Sequence, residues 1–212
     1  RIKGILRPAL LTPFPTRKGA CVILDVGANL SCRAVHLAQF AVMGAALAQA
    51  HYGVSEPTVG LLNIGEEAGK GRLLEKEAYA LLAALPNIDF IGNVEGTDLA
   101  AGKSNVVVCD GYTGNVLLKT AEGAARMVFG MLLEAVSDPQ YAEALQTLAP
   151  AVMGVRERLN PERHGGAHLL GVRGVVVITH GSSSRLSITH AVDTAVKAVD
   201  GGVPDLIAAG LA

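Results

Sequence analysis

An α/β fold with a mostly parallel sheet covered by helices is the architecture this sequence predicts, on three observations. Short β-branched runs alternate along the chain with longer stretches of helical apolar spacing, as strand–helix–strand units do. Those runs are apolar at successive positions rather than at every second one, the pattern of strands buried on both faces. Nearly all of them close on a Gly-, Asn- or Asp-rich turn, where a strand hands over to a helix. Half of the 212 residues are hydrophobic and 17% are charged, which gives such a fold the apolar surface its core needs.

Taken in order, residues 21–26 (CVILDV) read as a buried strand closed by Gly27. Residues 33–51 are Ala-rich with helical spacing, with Ser31 as N-cap and Gly53 as the stop. Residues 58–63 (TVGLLN) are the next strand, and residues 75–85 an amphipathic helix ended by Pro86 and Asn87. Residues 88–91 and 106–109 are further short strands. A long helix spans 115–136, and Ser137-Asp138-Pro139 opens another that runs towards Leu159. Residues 174–179 (GVVVIT) make the last strand, followed by a helix from about 184 to 199. With no repeat or low-complexity tract, residues 1–212 read as a single α/β domain, with a protruding helical pair at about 123–160.

Composition excludes several function classes. The formal net charge is −1, whereas a nucleic-acid binder needs a basic field to neutralise phosphates. The richest apolar stretch, residues 37–50, is interrupted by Gln39, Gly44 and Gln49 and falls short of the ~18–20 residues of a membrane helix. Cys21, Cys32 and Cys109 are too few and too scattered for a disulfide framework or a metal knuckle. With no signal-peptide pattern behind Arg1, the expected location is cytoplasmic.

The chemistry is concentrated in the turns DVGAN, NIGEEAGKG, GNVEGTD, CDGYTGN and THGSSS. Ligands of open parallel sheets bind outside the carboxyl ends of the strands. The five turns are therefore expected to converge on one edge, lining a site with backbone N–H groups, small residues and a few polar side chains. In the second turn Gly71 stands after Lys70, where a nucleotide loop needs Ser or Thr. The spacing instead suits a compact anion site in which Lys70 and helix N-terminal amides face one small phosphate; a solvated loop is the plainer reading. Asp110, Thr113 and Asn115 are good caps and turn formers, yet together with Lys119 they crowd polar groups at one strand end. His180 reads either as structural or as a proton donor and phosphate ligand, and the serines after it as caps or anion ligands. Cys109, closing an apolar strand, is a core residue before it is a thiol nucleophile. Neither GxSxG nor GxGxxG occurs. Glu162, His164 and His168 lack a metal-ligand spacing.

With these turns in view, the chain resembles the phosphate acyltransferase (PlsX) family of bacterial phospholipid synthesis. The matching segments are RPALLTPFPT, LDVGAN, GLLNIGEEAGKG, FIGNVEGTD, VVVCDGYTGNVLLKTAEG, GGAHLLGV and HGSSS, which cover nearly the whole chain in the family's order. The resemblance implies a three-layer α/β/α fold like the isocitrate/isopropylmalate dehydrogenase and phosphotransacetylase architecture. It implies transfer of a long-chain fatty acyl group from acyl carrier protein to inorganic phosphate, giving acyl phosphate. It also implies a homodimer in peripheral contact with the inner face of the cell membrane, where a membrane glycerol-phosphate acyltransferase takes the product. No cofactor and no metal are expected. Rival readings are an acyl-CoA-dependent phosphotransacetylase-like enzyme and a non-catalytic anion-binding domain. The family's opening region, with its Asp-Ala-Met-Gly-Gly-Asp motif, has no counterpart here, so residues 1–212 are expected to be the larger, C-terminal part of a longer chain. Ser184 and Arg185 stand where the family has Asn-Ala, and His168 where it has Pro.

That chemistry asks little of side chains. Phosphate near pH 7 is partly dianionic, its second pKa lying near that of a phosphomonoester, about 6, and a thiolate of pKa about 8.5 leaves readily. What remains is to hold phosphate against the carbonyl and to stabilise the oxyanion. Lys70 and Lys119 are the expected charge neutralisers, with Thr113, Ser182 and the Gly114 and Gly181 turns as donors. Asn29, Asn63, Asn93 and Asn115 are expected to position phosphate or to donate to the oxyanion, and His180 to donate to sulfur or phosphate. Glu66, Glu95 and Asp110 are expected to orient lysines and amides. Direct transfer is preferred to a covalent route through Cys109. Apolar residues from Met127 to Val155, with Arg156, Arg158 and Arg163 behind them, suit a dimer interface, a shallow membrane contact or plain core helices.

Overall fold

The computed structural model describes residues 1–160 and 165–211; Glu162, Arg163 and His164 lie outside the described residues. Seven strands form one sheet: β1 (Ala9–Thr16), β2 (Gly19–Leu24), β3 (Thr58–Leu62), β4 (Asp89–Val94), β5 (Val106–Val108), β6 (Ala167–Leu170) and β7 (Val177–Ile178). Their spatial order is β4-β3-β5-β2-β1-β6-β7. β4, β3, β5 and β2 are mutually parallel. β1 runs antiparallel to both β2 and β6, so β6 rejoins the common direction, and β7 reverses again. The sheet is thus mostly parallel and flanked by helices, as expected.

The doubly buried strands show why the apolar runs are continuous. β2 sends Val22 and Leu24 into one core and Cys21 and Ile23 into the other. β5 divides in the same way, with Val106 and Val108 opposite Val107. The larger core lies under α1 (Ala34–Tyr52), which is buried nearly all round and packed among α2 (Leu73–Ala83), α6 (Arg185–Asp200), α7 (Val203–Gly210) and the sheet. Its small residues permit close approach: a Cβ added at Gly44 would sit 2.5 Å from Val106 Cγ1. The smaller core is covered by Leu99 of α3 (Gly96–Ala101) and by Leu117 and Leu118 of α4 (Gly111–Val136). Beyond those turns α4 exposes Met127, Val128, Met131 and Leu132. A 3₁₀ turn (Pro139–Tyr141) leads into α5 (Ala142–Leu159), which buries none of its residues.

Several boundaries differ from those the sequence predicts. The Gly-Tyr-Thr-Gly stretch forms the first turn of α4 because the Asp110 carboxylate caps it, accepting from Thr113 N. α1 starts with Arg33, not Ser31, in the N-cap position, and stops at Gly53 in the left-handed conformation as expected. β1, α3, β6 and α7 were not anticipated. β1 is masked by Pro13 and Pro15, which lie beyond the stretch Ala9–Leu11 that pairs with β6, so their missing N–H groups interrupt no ladder there. The run GVVVIT contributes only the two residues of β7 to the ladder.

Candidate functional site

Four of the five turns meet at the carboxyl ends of β2, β3, β4 and β5, and Asp25 organises the first of them. Its fully buried carboxylate accepts from Leu10 N, Gly27 N and Ala28 N through Oδ1, at 3.0, 3.1 and 3.0 Å, and from Asn29 N and Nδ2 through Oδ2, at 2.7 and 2.8 Å. This ties the DVGAN turn to β1 and turns the chain back on itself. The start of α4 presses on the same spot: a Cβ at Gly114 would lie 2.0 Å from Asp25 O and 2.9 Å from Cys109 Sγ. Only glycine fits that approach. Asn115, on the same turn, brings its side chain to Gly27, a Cβ of which would be 3.8 Å from Asn115 Cγ.

Across the cleft, Arg72 joins the β3 and β5 turns. Its guanidinium pairs with Glu75, which begins α2, and with the α4 cap Asp110. Burial alone would raise the Asp110 pKa, but the Thr113 N–H and the Arg72 guanidinium outweigh it and hold the carboxyl below its ordinary value. Glu75 is lowered for the same reasons, burial again opposing, with Arg72 as its main stabiliser. The Arg72 pKa is raised by Glu75 and then by Asp110. Leu62, Asn63, Ile64, Gly71, Arg72, Glu75 and Thr113 line an open cleft of about 370 Å³ at this junction.

The NIGEEAGKG loop is closed by its own Asn63, whose Nδ2 donates to Lys70 O at 3.1 Å and whose Oδ1 accepts from Ile64 N at 2.8 Å. Asn93 reaches over from β4 and donates to Glu67 O at 2.7 Å, leaving its Oδ1 buried without a protein partner. Glu66 pairs with Lys103, which also reaches Asp98; Lys70 lies 3.9 Å from Glu67 instead. Glu95 precedes α3 and its N–H donates to Asp98 Oδ2 at 3.0 Å. Lys119 is exposed one turn further along α4, 3.0 Å from Glu122.

The structure therefore gathers Asn29, Asn63, Glu66, Lys70, Asn93, Glu95, Asp110, Thr113, Gly114, Asn115 and Lys119 on four adjoining strand ends. It engages several of them with one another: both amide hydrogens of Asn29 go to Asp25 and Pro8 O. The expectation that all five turns share one edge is corrected for the last. β7 runs against β2 to β5, so its carboxyl end opens at the opposite edge. It also lies three strands beyond β2, about 15 Å at ~4.8 Å per strand. There His180, Gly181 and Ser182 are exposed, with His180 Nδ1 accepting from Ser182 N at 3.2 Å and lying 2.6 Å from its hydroxyl.

Cys109 is fully buried, and burial first, then Asp110 and Asp25, push its thiol pKa well up; its Sγ contacts Asp25 O at 3.5 Å. That is the environment of a core thiol rather than a nucleophile. Arg72, Asp25 and Glu75 are residues that sequence reasoning passed over. Their signals were present: Arg72 stands three residues before Glu75 at a helix start, and Asp25 precedes Gly-Ala-Asn in a turn. Among the described residues no helix is long and apolar enough to cross a membrane, and no group of three or more His, Cys, Asp or Glu is placed to hold a metal ion.

Comparison with known proteins agrees with this picture. A branched-chain phosphotransacylase from Enterococcus faecalis V583 superposes with a TM-score of 0.55 at 15% identity, over 91% of this chain and 65% of that one, and so shares the fold. Proteins named phosphate acyltransferase from Elusimicrobium minutum and Dictyoglomus thermophilum are 49% and 45% identical over 95% and 94% of this chain. The chain spans 59% and 60% of their lengths. A family model described as fatty acid synthesis protein matches residues 1–206, and the chain belongs to that family, the phosphate acyltransferase (PlsX) family its turns resemble.

Proposed function

We propose that this chain carries the phosphate-facing half-site of an acyltransferase that moves a long-chain fatty acyl group from acyl carrier protein to inorganic phosphate. The observation that carries the reading is the meeting of the β2, β3, β4 and β5 turns around the α4 and α2 N-termini, beside a cleft lined by Asn63, Arg72 and Thr113. Family membership supplies the reaction class. A phosphate oxygen attacks the thioester carbonyl carbon, the C–S bond breaks, and the carrier's thiolate leaves with the electron pair. Lys70 and Lys119 offset the phosphate charge when they exchange Glu67 and Glu122 for it, and Thr113, Asn115 and turn amides hold the oxyanion. Glu66, Glu95 and Asp110 set the frame around them. His180, Gly181 and Ser182 stand apart from this edge and are assigned no step here.

The exposed apolar residues of α4 and α5 suit a homodimer interface and a shallow contact with the inner face of the cell membrane. That position would hand acyl phosphate to a membrane glycerol-phosphate acyltransferase. The test is acyl phosphate formation from palmitoyl-acyl carrier protein and phosphate, trapped as the hydroxamate, with palmitoyl-CoA run in parallel. Product from the carrier-protein donor alone supports the reading. Product from the CoA donor alone assigns a phosphotransacetylase-like reaction, and phosphate binding without product from either assigns a binding domain.

A further inference from the structure

Charge divides the carboxyl edge of the sheet into two parts. Around the β3 and β4 turns, Lys70, Arg72 and Lys103 are each ion-paired, with Glu67, with Glu75 and Asp110, and with Glu66 and Asp98. Around β1, β2 and β6 the same edge carries Arg1, Lys3, Arg7, Arg33 and Arg173, all exposed. Among the described residues none of these five is in a salt bridge. Topology brings them together: β1 starts where β2 ends, and its Ala9 pairs with Leu170, the last residue of β6. Residues 1–8, the β2 turn and residues 171–174 therefore share one edge. Gln39 of α1 accepts from Leu6 N and donates to Gly4 O, both at 2.9 Å, while Arg7 Nη1 donates to Ser31 O and Arg173 Nε to Arg1 O, both at 3.2 Å. Residues 1–8, 26–55 and 171–174 contain no Asp or Glu. Burial, then the charges of Arg7 and Arg33, lower the pKa of His36 in the first turn of α1. Arg33 holds the N-cap with no acidic residue in the first turn, where the helix dipole favours an anion. Leu6, Leu30 and Val35 are exposed among the cations.

We propose that this patch docks an acidic protein surface, that of the acyl carrier protein bearing the thioester; the inference rests on the acyl-transfer reading above. Three observations choose this occupant. Four of the five cations are arginines, whose planar guanidinium groups pair with carboxylates two bonds at a time, and the apolar side chains between them suit a folded partner. The patch adjoins the cleft: Asn29 O, in the turn that leads to Arg33, accepts from Gly111 N at 2.9 Å, two residues before the cleft-lining Thr113. A carrier held there brings its thioester arm to the cleft, whereas a lipid surface on this edge would close the cleft to a protein-borne thioester. The patch is also of one sign, so a second copy meeting it about a two-fold axis would set the same cations against themselves.

The test measures binding of phosphopantetheinylated acyl carrier protein, at low salt, to the chain and to its Lys3→Glu, Arg33→Glu double variant. The dissociation constant is expected to rise roughly tenfold or more in that variant. It is expected to stay within about twofold of the parent in Arg17→Glu, Lys18→Glu, which makes the same charge change on the β1–β2 turn at the opposite edge. Equal affinity in the two double variants, or no binding by the parent, overturns the proposal. So does loss of binding to phosphatidylglycerol vesicles in the Lys3→Glu, Arg33→Glu variant with carrier binding retained, which assigns the patch to a lipid surface. Should that variant fail to fold, Lys3→Gln, Arg33→Gln takes its place, with an expected rise of about threefold or more. Acyl phosphate formation separates the docking site from the reaction it rests on. Where the parent forms product, KM for the carrier is expected to rise in the variant while kcat stays within about twofold. Product with carrier affinity and KM unchanged in the variant removes the docking site and leaves the reaction. Carrier binding through the patch without product removes the reaction and leaves the docking site.

Discussion

The two ends of the sheet differ in how completely their polar and apolar groups are matched. At the carboxyl end of β2 to β5, Asp25 takes five hydrogen bonds, Arg72 is gripped by two carboxylates, and Gly114 leaves no room for a methyl group. At the β7 and α6 end, valines and isoleucines face solvent and, among the described residues, the side-chain hydrogen bonds of the His180–Ser182 pair stay within its own turn. The first region pairs most of its polar groups within this chain, in an arrangement that a single change would upset. The second leaves apolar side chains exposed.

The largest expected effect comes from Gly114→Ala, whose methyl would overlap Asp25 O. It should cost about 5 kcal/mol or abolish folding, by overpacking against backbone that cannot move aside. A normal melting curve for this variant would break the contrast between the two ends. Asp25→Ala comes next, stranding four backbone N–H groups at a cost of about 3–5 kcal/mol in denaturant titration.

His168 gives a pH-dependent probe. It is buried beside His51, its Nε2 without a protein partner, and burial followed by the charge of His51 lowers its pKa from 6.5 to about 4. The unfolded chain therefore binds a proton below pH 6.5 that the folded protein refuses. This residue's contribution is intact above pH 6.5 and is lost as pH falls towards 4, approaching about 3 kcal/mol. His168→Leu should melt at the same temperature as the parent or higher at pH 7, and lose less stability between pH 6.5 and 4. Parallel pH curves for the two proteins would show that the imidazole is not protected as described.

Asp110→Asn keeps a capping oxygen for Thr113 N but removes the charge facing Arg72, and should cost about 1–2 kcal/mol at pH 7. Because the Asp110 pKa is held below its ordinary value, the difference from the parent is full above that ordinary value. It shrinks as pH falls through the folded pKa. His180→Ala carries the smallest effect, within about 0.5 kcal/mol of the parent. Should it also cut acyl phosphate formation by the chain alone more than tenfold, its distance from the proposed site at the β2–β5 edge would have to be revised.

Periodicity was enough to place the parallel strands, because β2, β3 and β5 are buried on both faces and their apolar runs are unbroken. It failed where a strand carries proline, as in β1, or breaks its apolar run with a histidine, as in β6. The turns revealed which residues gather at the β2–β5 edge but not which of them are already engaged. Asn29 and Asn63 look like free donors in sequence, and only the fold shows their amides closing turns. The misplaced His180 turn has a topological cause, since a strand run ahead of a helix looks the same whichever way it points in the sheet.

The glycine-to-valine contact between α1 and β5 belongs to a wider feature, the burial of α1 on every side. Its outer wall is built by Gly201 against Ala50 and by Gly210 against Val42, residues that leave the ribosome about 150 positions after α1 itself. The most buried helix among the described residues must therefore wait, sheet on one side and water on the other, for the last of these partners to be synthesised. A nascent chain stalled before Gly201 would show that bare flank to chaperones.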